Sequence, residues 1–485
     1  MSASNDYEVI IGLEVHVQLS TRSKLFCCCS ATFGAPPNKQ TCPVCQGMPG
    51  VLPVINRRAI EFAIRTALAL HCRVNPFCRF ARKHYFYPDM PKNYQISQYE
   101  EPLASEGWIE LPVDGTRRSI GIERLHMEED VGKLLHEGSV FETARFSLVD
   151  FNRSGVPLME IVSKPDLRSA PEAPTYLRAL REILIYLGVS TGNMEEGSLR
   201  CDANISLRPR GSNEFGTKVE IKNMNSFRNV QAALEFEAKR QARALAAGER
   251  IVQETRLWDP DKDQTLSMRS KEYAHDYRYF PEPDLVPLKI ESGWVETLRA
   301  ILPELPEARR QRFVSQYGLP TYDAELLCQT PALAGYYEEA VGQYSKPKVV
   351  ANWVMSELLR ELPSAEEAHI KACPIPPRNL ARLLSLIDDG TISGKIAKEV
   401  FEKMYRSGED PDTVVKREGL TQVADAGALG EVVEQVLATH PAAVEDWKKG
   451  KKQSLGFLVG QVMKATRGRA NPGLVNQLLL ERLPK

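Results

Sequence analysis

Strict alternation near the N-terminus constrains this chain more than any other feature. From Glu8 to Leu19, Val9, Ile11, Leu13, Val15 and Val17 alternate with Ile10, Gly12, Glu14, His16 and Gln18. Successive side chains of a β-strand point to opposite faces, so five apolar residues line one face while Glu14 and His16 share the other. A carboxylate beside an imidazole suits a hard cation with mostly oxygen ligands and one nitrogen. A solvated strand face is equally compatible with these two residues taken alone.

The alternation recurs. From Ile122 to Asp130 it puts Arg124, His126, Glu128 and Asp130 on one face. From Leu199 to Leu207, Arg200, Asp202, Asn204 and Ser206 oppose Leu199, Cys201, Ala203, Ile205 and Leu207, and Lys218, Glu220 and Lys222 oppose Val219 and Ile221. Half-polar strands without a repeating βα rhythm predict an antiparallel sheet with helices on one side, an α+β fold. Polar faces carrying both acids and bases predict the floor of an active-site cleft, with a wet surface as the alternative. Glu160 departs from the pattern, sharing its face with Val156, Leu158 and Val162. A carboxylate there requires a partner, either a metal or a cation such as Arg181 or Lys164.

Five of the ten cysteines fall between Cys27 and Cys45. Cys27-x-Cys29 and Cys42-x-x-Cys45 are spaced to close a tetrahedral zinc site of structural type. Buried free thiols are the alternative, and Cys28 could replace either neighbour as a ligand. Ten cysteines in 485 residues do not resemble a small secreted disulfide scaffold, and the start of the chain lacks the pattern of a secretory signal. No apolar run approaches the roughly 20 residues that span a bilayer. The expected setting is the reducing cytoplasm.

Asn56 is placed to cap a helix running to about His71, with Ile60, Ala63, Ile64, Ala67 and Leu68 as its buried stripe. The aromatic stretches from Lys83 to Asp89 and Lys92 to Gln98 are too Pro-punctuated for helix and read as strand and loop. From about Pro281 Pro-rich punctuation replaces strands, and Leu380, Leu383, Leu384 and Ile387, then Ile396, Val400, Phe401 and Met404, form a helical hairpin across Asp388–Asp389–Gly390. Residues 441–485 carry nine Lys and Arg against three Asp and Glu, although the whole chain has a formal net charge of −1. Lys451, Lys452, Lys464, Arg467 and Arg469 belong to that basic tail, which suits a phosphate backbone or a solubilising surface. No G-x-x-x-x-G-K-[ST] loop is present, so a nucleotide here would be held by metal and charged strand faces.

The strings IGLEVHVQL, CPVCQGMPGVLPVIN, HYFYPDMPKNYQISQYE, LHMEEDVGK, LMEIVS, EEGSLRCDANISLR, DYRYFPEPDL and SLGFLVGQVMKATRG resemble, in order and along the whole chain, the B subunits of the glutamyl-/aspartyl-tRNA amidotransferases. The resemblance implies a cradle related to glutamine synthetase over residues 1–295, an all-helical domain over 296–409 and a tRNA-gripping tail over 410–485. It implies ATP-dependent phosphorylation of the Glu or Asp side chain on a mischarged tRNA, then amination with ammonia. A partner amidase, the A subunit, would supply the ammonia, with the small C subunit joining the two. The cognate aminoacyl-tRNA synthetase is a further implied partner. The family's magnesium site falls on Glu14, His16, Glu128 or Glu129, and Glu160. Asp202 corresponds to a transient metal ligand, and Lys83 and Glu129 to residues of the ammonia route. The four cysteines match a structural zinc site found in many family members. The residues alone also admit a non-catalytic zinc-containing tRNA-binding protein and a free-standing ammonia ligase.

Overall fold

The computed structural model describes residues 6–113, 115–136, 146–270, 274–420, 426–466 and 470–483. The chain divides into two compact units, residues 1–305 and 306–485.

The first unit is built on a nine-stranded sheet. Its strands, numbered along the chain, are β1 (Tyr7–Gln18), β2 (Arg73–Val74), β3 (Ala104–Val113), β4 (Thr116–Glu129) and β5 (Pro157–Ser163). They continue with β6 (Leu199–Pro209), β7 (Val219–Lys222), β8 (Glu254–Asp259) and β9 (Gln264–Ser270). The spatial order is β9-β8-β7-β6-β1-β5-β4-β3-β2, so the first strand lies at the centre. Pairing is antiparallel except between β7 and β8. A parallel pair needs a crossover, and the helix Phe227–Ala246 between these strands supplies it.

The alternating apolar residues all turn to one side. Ile11, Leu13, Val15 and Val17 join Leu125, Met127, Met159, Ile161, Cys201, Ala203 and Ile205 in one buried cluster. Helix Arg57–Ala69 adds Ile60, Ala63, Ile64 and Ala67, helix Glu172–Tyr186 adds Leu177, Leu180 and Leu184, and helix Phe227–Ala246 adds Val230, Ala233 and Leu234. Each fully buried Leu, Ile or Val contributes about 1.5–3 kcal/mol, and this apolar side keeps the strand register from slipping. The other face is left to polar residues.

A small antiparallel sheet of Phe280–Pro281, Ala81–His84 and Tyr94–Ser97 holds the aromatic stretches. Its register sets Lys83 opposite Gln95 and His84 opposite Tyr94. Arg82 anchors it by donating twice to the Glu282 carboxylate, at 2.9 and 2.8 Å.

The second unit contains two apolar clusters, from Phe313 to Val415 and from Leu429 to Leu483. The expected hairpin is formed by helices Pro377–Asp388 and Gly394–Ser407, the second capped by Ser393 and ended by Gly408 at φ 73°. Helix Pro411–Glu418 buries Val414 and Val415 in the first cluster. The second cluster therefore begins later than residue 410, where the resemblance implies that the tail starts. No helix among the described residues is long and apolar enough to cross a membrane.

Asn56 ties the Arg57–Ala69 helix to the preceding loop. Its Oδ1 accepts from the Arg58 and Ala59 amides, and its Nδ2 donates to the Ser23 and Lys24 carbonyls. Asn56→Ala should cost about 1–2 kcal/mol, seen as a lower urea midpoint in the transition that reports on the sheet.

Candidate active site

The open face of the sheet is ordered by its register. β1 lies between β5 and β6, which sets His16 opposite both Glu160 and Arg200, and Glu14 opposite Asp202. β5 in turn pairs with β4 and sets Glu160 opposite His126. One row across four strands therefore reads Arg200, His16, Glu160, His126. Four sequence-distant segments supply it, because adjacent strands bring facing side chains within about 5 Å.

His16 Nε2 lies 3.4 Å from Glu160 Oε2 and 3.8 Å from Glu128 Oε1. His126 Nε2 lies 3.2 Å from Glu160 Oε2 and 3.8 Å from Glu128 Oε2. Ser97 Oγ donates to Glu128 Oε2 at 3.1 Å. His16, Glu128 and Glu160 offer one nitrogen and two oxygens within 4.8 Å of one another, a grouping that could hold a metal ion. The partners of Glu160 are thus two histidines. Arg181 instead donates to the Gly192 carbonyl, and Lys164 to Glu106.

Glu128 and Glu129 are separated by strand alternation. Glu128 joins the trio, whereas Glu129 turns away, is paired with Lys92 and accepts the Ile96 amide at 3.0 Å. Of the two glutamates left open by the sequence, the close trio contains Glu128. Glu14 occupies the same face as His16 but stands outside the close trio, accepting from Asn204 Nδ2 at 2.9 Å. Asp202 accepts from Lys222 Nζ at 2.6 Å. Lys83 lies 5.0 Å from the Tyr277 ring centre. Burial disfavours its charge, but Glu128 and Glu160 outweigh this and raise its pKa.

Electrostatics bind the row together. Burial opposes ionisation of both carboxylates, yet His126 and His16 hold Glu160 well below the usual carboxylate range and His126 helps lower Glu128. Burial also opposes charging of His126, but Glu160 and Glu128 prevail and push its pKa up to about 9. The His126 Nδ1 is buried without a hydrogen-bond partner among the described residues. In the sequence His126 is one polar residue among several on its strand, and only the pairing of β4 with β5 sets it against Glu160. Lys222 and Arg200 likewise owe their places to register, with Arg200 donating to Asp130 Oδ2 at 2.8 Å.

Cys27, Cys29, Cys42 and Cys45 form a second group, their sulfurs within 4.8 Å of one another. Zn–S bonds of about 2.3 Å in a tetrahedron require sulfur separations of about 3.8 Å. Cys42 and Cys45 stand 3.9 Å apart, so this donor set fits such an ion. Cys28 is exposed and outside the group. Of the tail residues, Lys451 pairs with Asp446 at 2.9 Å, while Lys452 and Lys464 are exposed. Arg467 and Arg469 lie outside the described residues.

A mainly antiparallel sheet with a charged row on one face and helices on the other defines the first unit of an α+β protein. Residues 9–296 match the family model described as the GatB/GatE catalytic domain, and residues 335–483 the one described as the GatB domain. A Carboxydothermus hydrogenoformans protein, named as the B subunit of aspartyl/glutamyl-tRNA(Asn/Gln) amidotransferase, is 60% identical over 480 residues, covering 99% of each chain. The Moorella thermoacetica protein of the same name is 58% identical over 478 residues, covering 99% of this chain and all of that one. This chain belongs to the GatB family of amidotransferase B subunits.

The charged row has a pH signature. In the metal-free chain, a raised His126 pKa contributes stability that is full below about pH 6.5 and is lost as pH rises through about 9. Glu160→Gln should lower the His126 pKa toward the ordinary value, followed by NMR titration. The melting-temperature gap between wild type and variant should be widest between about pH 5 and 6.5 and should narrow by about pH 9.

Proposed function

We propose that the chain catalyses ATP-dependent amidation of mischarged Glu-tRNA(Gln), Asp-tRNA(Asn) or both, as the B subunit of a complex with an amidase (the A subunit) and a small C subunit. The observation that carries this reading is the His16–Glu128–Glu160 trio on the open sheet face of a chain in this family. A carboxylate is a poor acyl donor to ammonia. Transfer of the ATP γ-phosphoryl to the tRNA-borne carboxylate releases ADP and creates a good leaving group. Ammonia then displaces phosphate to give the amide.

His16, Glu128 and Glu160 would hold magnesium, with Glu14 beside them and Asp202 available to a second ion. Bound magnesium neutralises phosphate charge in such a site. Lys83 adds a partly buried positive charge coupled to Glu128 and Glu160, suited to holding an anionic substrate group. The Glu129–Lys92 pair lies on the reverse side of the same strand end, and we assign Glu129 and Lys83 to the entry of ammonia from the partner. An antiparallel cradle with carboxylates on its open working face supports kinship with glutamine synthetase. The cysteine group is assigned a structural zinc ion.

The tail from Leu429 onward forms its own apolar cluster and presents Lys452 and Lys464 to solvent, which supports contact with the tRNA backbone. Lys451, Arg467 and Arg469 are assigned to the same surface. A cytoplasmic enzyme that takes its substrate from the cognate synthetase is the setting this reading implies.

Glutamine-dependent conversion of Glu-tRNA with the partner subunits tests the proposal. Glu160→Ala should reduce kcat by about 100-fold or more with tRNA binding retained; tRNA binding without any ATP turnover in the wild type would instead mark a non-catalytic binding protein. Glu129→Gln should slow the glutamine-driven reaction more than the same reaction supplied with ammonium salt. Truncation at residue 426 should raise KM for tRNA and flatten its salt dependence. That cut leaves Val414 and Val415 in their cluster.

A further inference from the structure

Lys24 is fully buried, with 0% exposure, beside the cysteine group. Its backbone N–H donates to the Cys29 carbonyl at 2.9 Å, which places it at the base of the Cys27–Cys29 turn. Its ammonium donates to the Phe151 carbonyl at 3.2 Å and to Cys45 Sγ at 3.4 Å. Among the described residues no carboxylate lies within ion-pair distance of it, unlike Lys92 and Lys222, which have Glu129 and Asp202. A buried ammonium offered only a carbonyl and a neutral thiol would be strongly destabilising. Four thiolates around a divalent cation carry a net charge of −2, so an anionic cysteine centre supplies the missing partner.

We propose that Lys24 is the built-in counter-charge of a tetrathiolate metal centre formed by Cys27, Cys29, Cys42 and Cys45. It is a positioning residue, not a ligand. Its donation to Cys45 stabilises that sulfur as the thiolate and so opposes the protonation that would release the metal. The bond to Phe151 links the centre to the segment that leads into β5, because Gly155, three residues before Leu158, accepts the Leu25 amide at 2.8 Å. Metal loading and the seating of the cysteine insert on the sheet are thereby coupled. This inference rests on the assignment of the cysteine group to zinc.

The test uses the full chain with zinc, comparing wild type, Lys24→Met and Lys24→Gln. Metal analysis of the wild type comes first and should give about one zinc per chain, as a single four-thiolate site requires. Transfer of zinc to a chromogenic chelator should be about 10–100-fold easier from both variants. The sulfur-to-metal charge-transfer band of the cobalt-substituted protein should shift in both. Lys24→Gln keeps a hydrogen-bond donor without the charge, so a wild-type retention of metal in that variant would overturn the charge reading. Melting temperatures with and without zinc complete a cycle: zinc should stabilise wild type more than Lys24→Met. Equal zinc stabilisation, or failure of both variants to fold in either state, would assign Lys24 to packing and overturn the proposal. A wild-type chain without bound zinc would overturn the metal assignment itself, an outcome distinct from unaltered metal retention in the variants.

Discussion

Everything at the open face depends on β1 being paired on both edges. Its hydrogen bonds to β5 and β6 set His16 between Glu160 and Arg200, and one further pairing adds His126. A slip of one residue in any of these ladders would send the polar row into the helices and the core residues into solvent. The apolar side, packed by three helices, makes such a slip costly. Core packing therefore guarantees the geometry of the charged face without touching it.

The charged face carries its own compensation. Two nearly buried carboxylates would repel each other and resist ionisation, but two imidazoles lie against them. Buried charge is tolerated when paired, and removal of one partner leaves the other exposed to the full desolvation penalty. The same arrangement keeps Glu128 and Glu160 ionised, the state in which carboxylates bind a divalent cation. On the zinc assignment proposed above, the cysteine group would follow the same logic, with Lys24 rather than histidine as the opposing charge.

Much of the fold and the site is legible without tertiary structure. Alternation marks β1 and β6 to within two residues and the second half of β4, Asn56 marks the start of its helix, and the Leu380–Met404 stripe marks the hairpin. The spacing of Cys27, Cys29, Cys42 and Cys45 picks out the four residues that converge. Less is visible for Glu160, whose apolar surroundings signal an unusual partner without naming one. The parallel pairing of β7 and β8 is hidden because a single crossover helix leaves no repeating rhythm in the sequence. The edge of the first helical cluster is obscured because burial in it ends at Val415 while the basic stretch begins only at about residue 441.

By itself the sequence determined which residues face which side of each strand, because side-chain alternation is a local property of an extended backbone. It therefore determined that Glu14 and His16 lie on one polar face. Tertiary structure alone decided which strands adjoin, and so which polar residues meet. Register across β6, β1, β5 and β4 brought His16, Glu128 and Glu160 together and left Glu14 with Asn204, and tertiary packing set Lys92 against Glu129. Those outcomes depend on long-range pairing, for which no single segment carries the information.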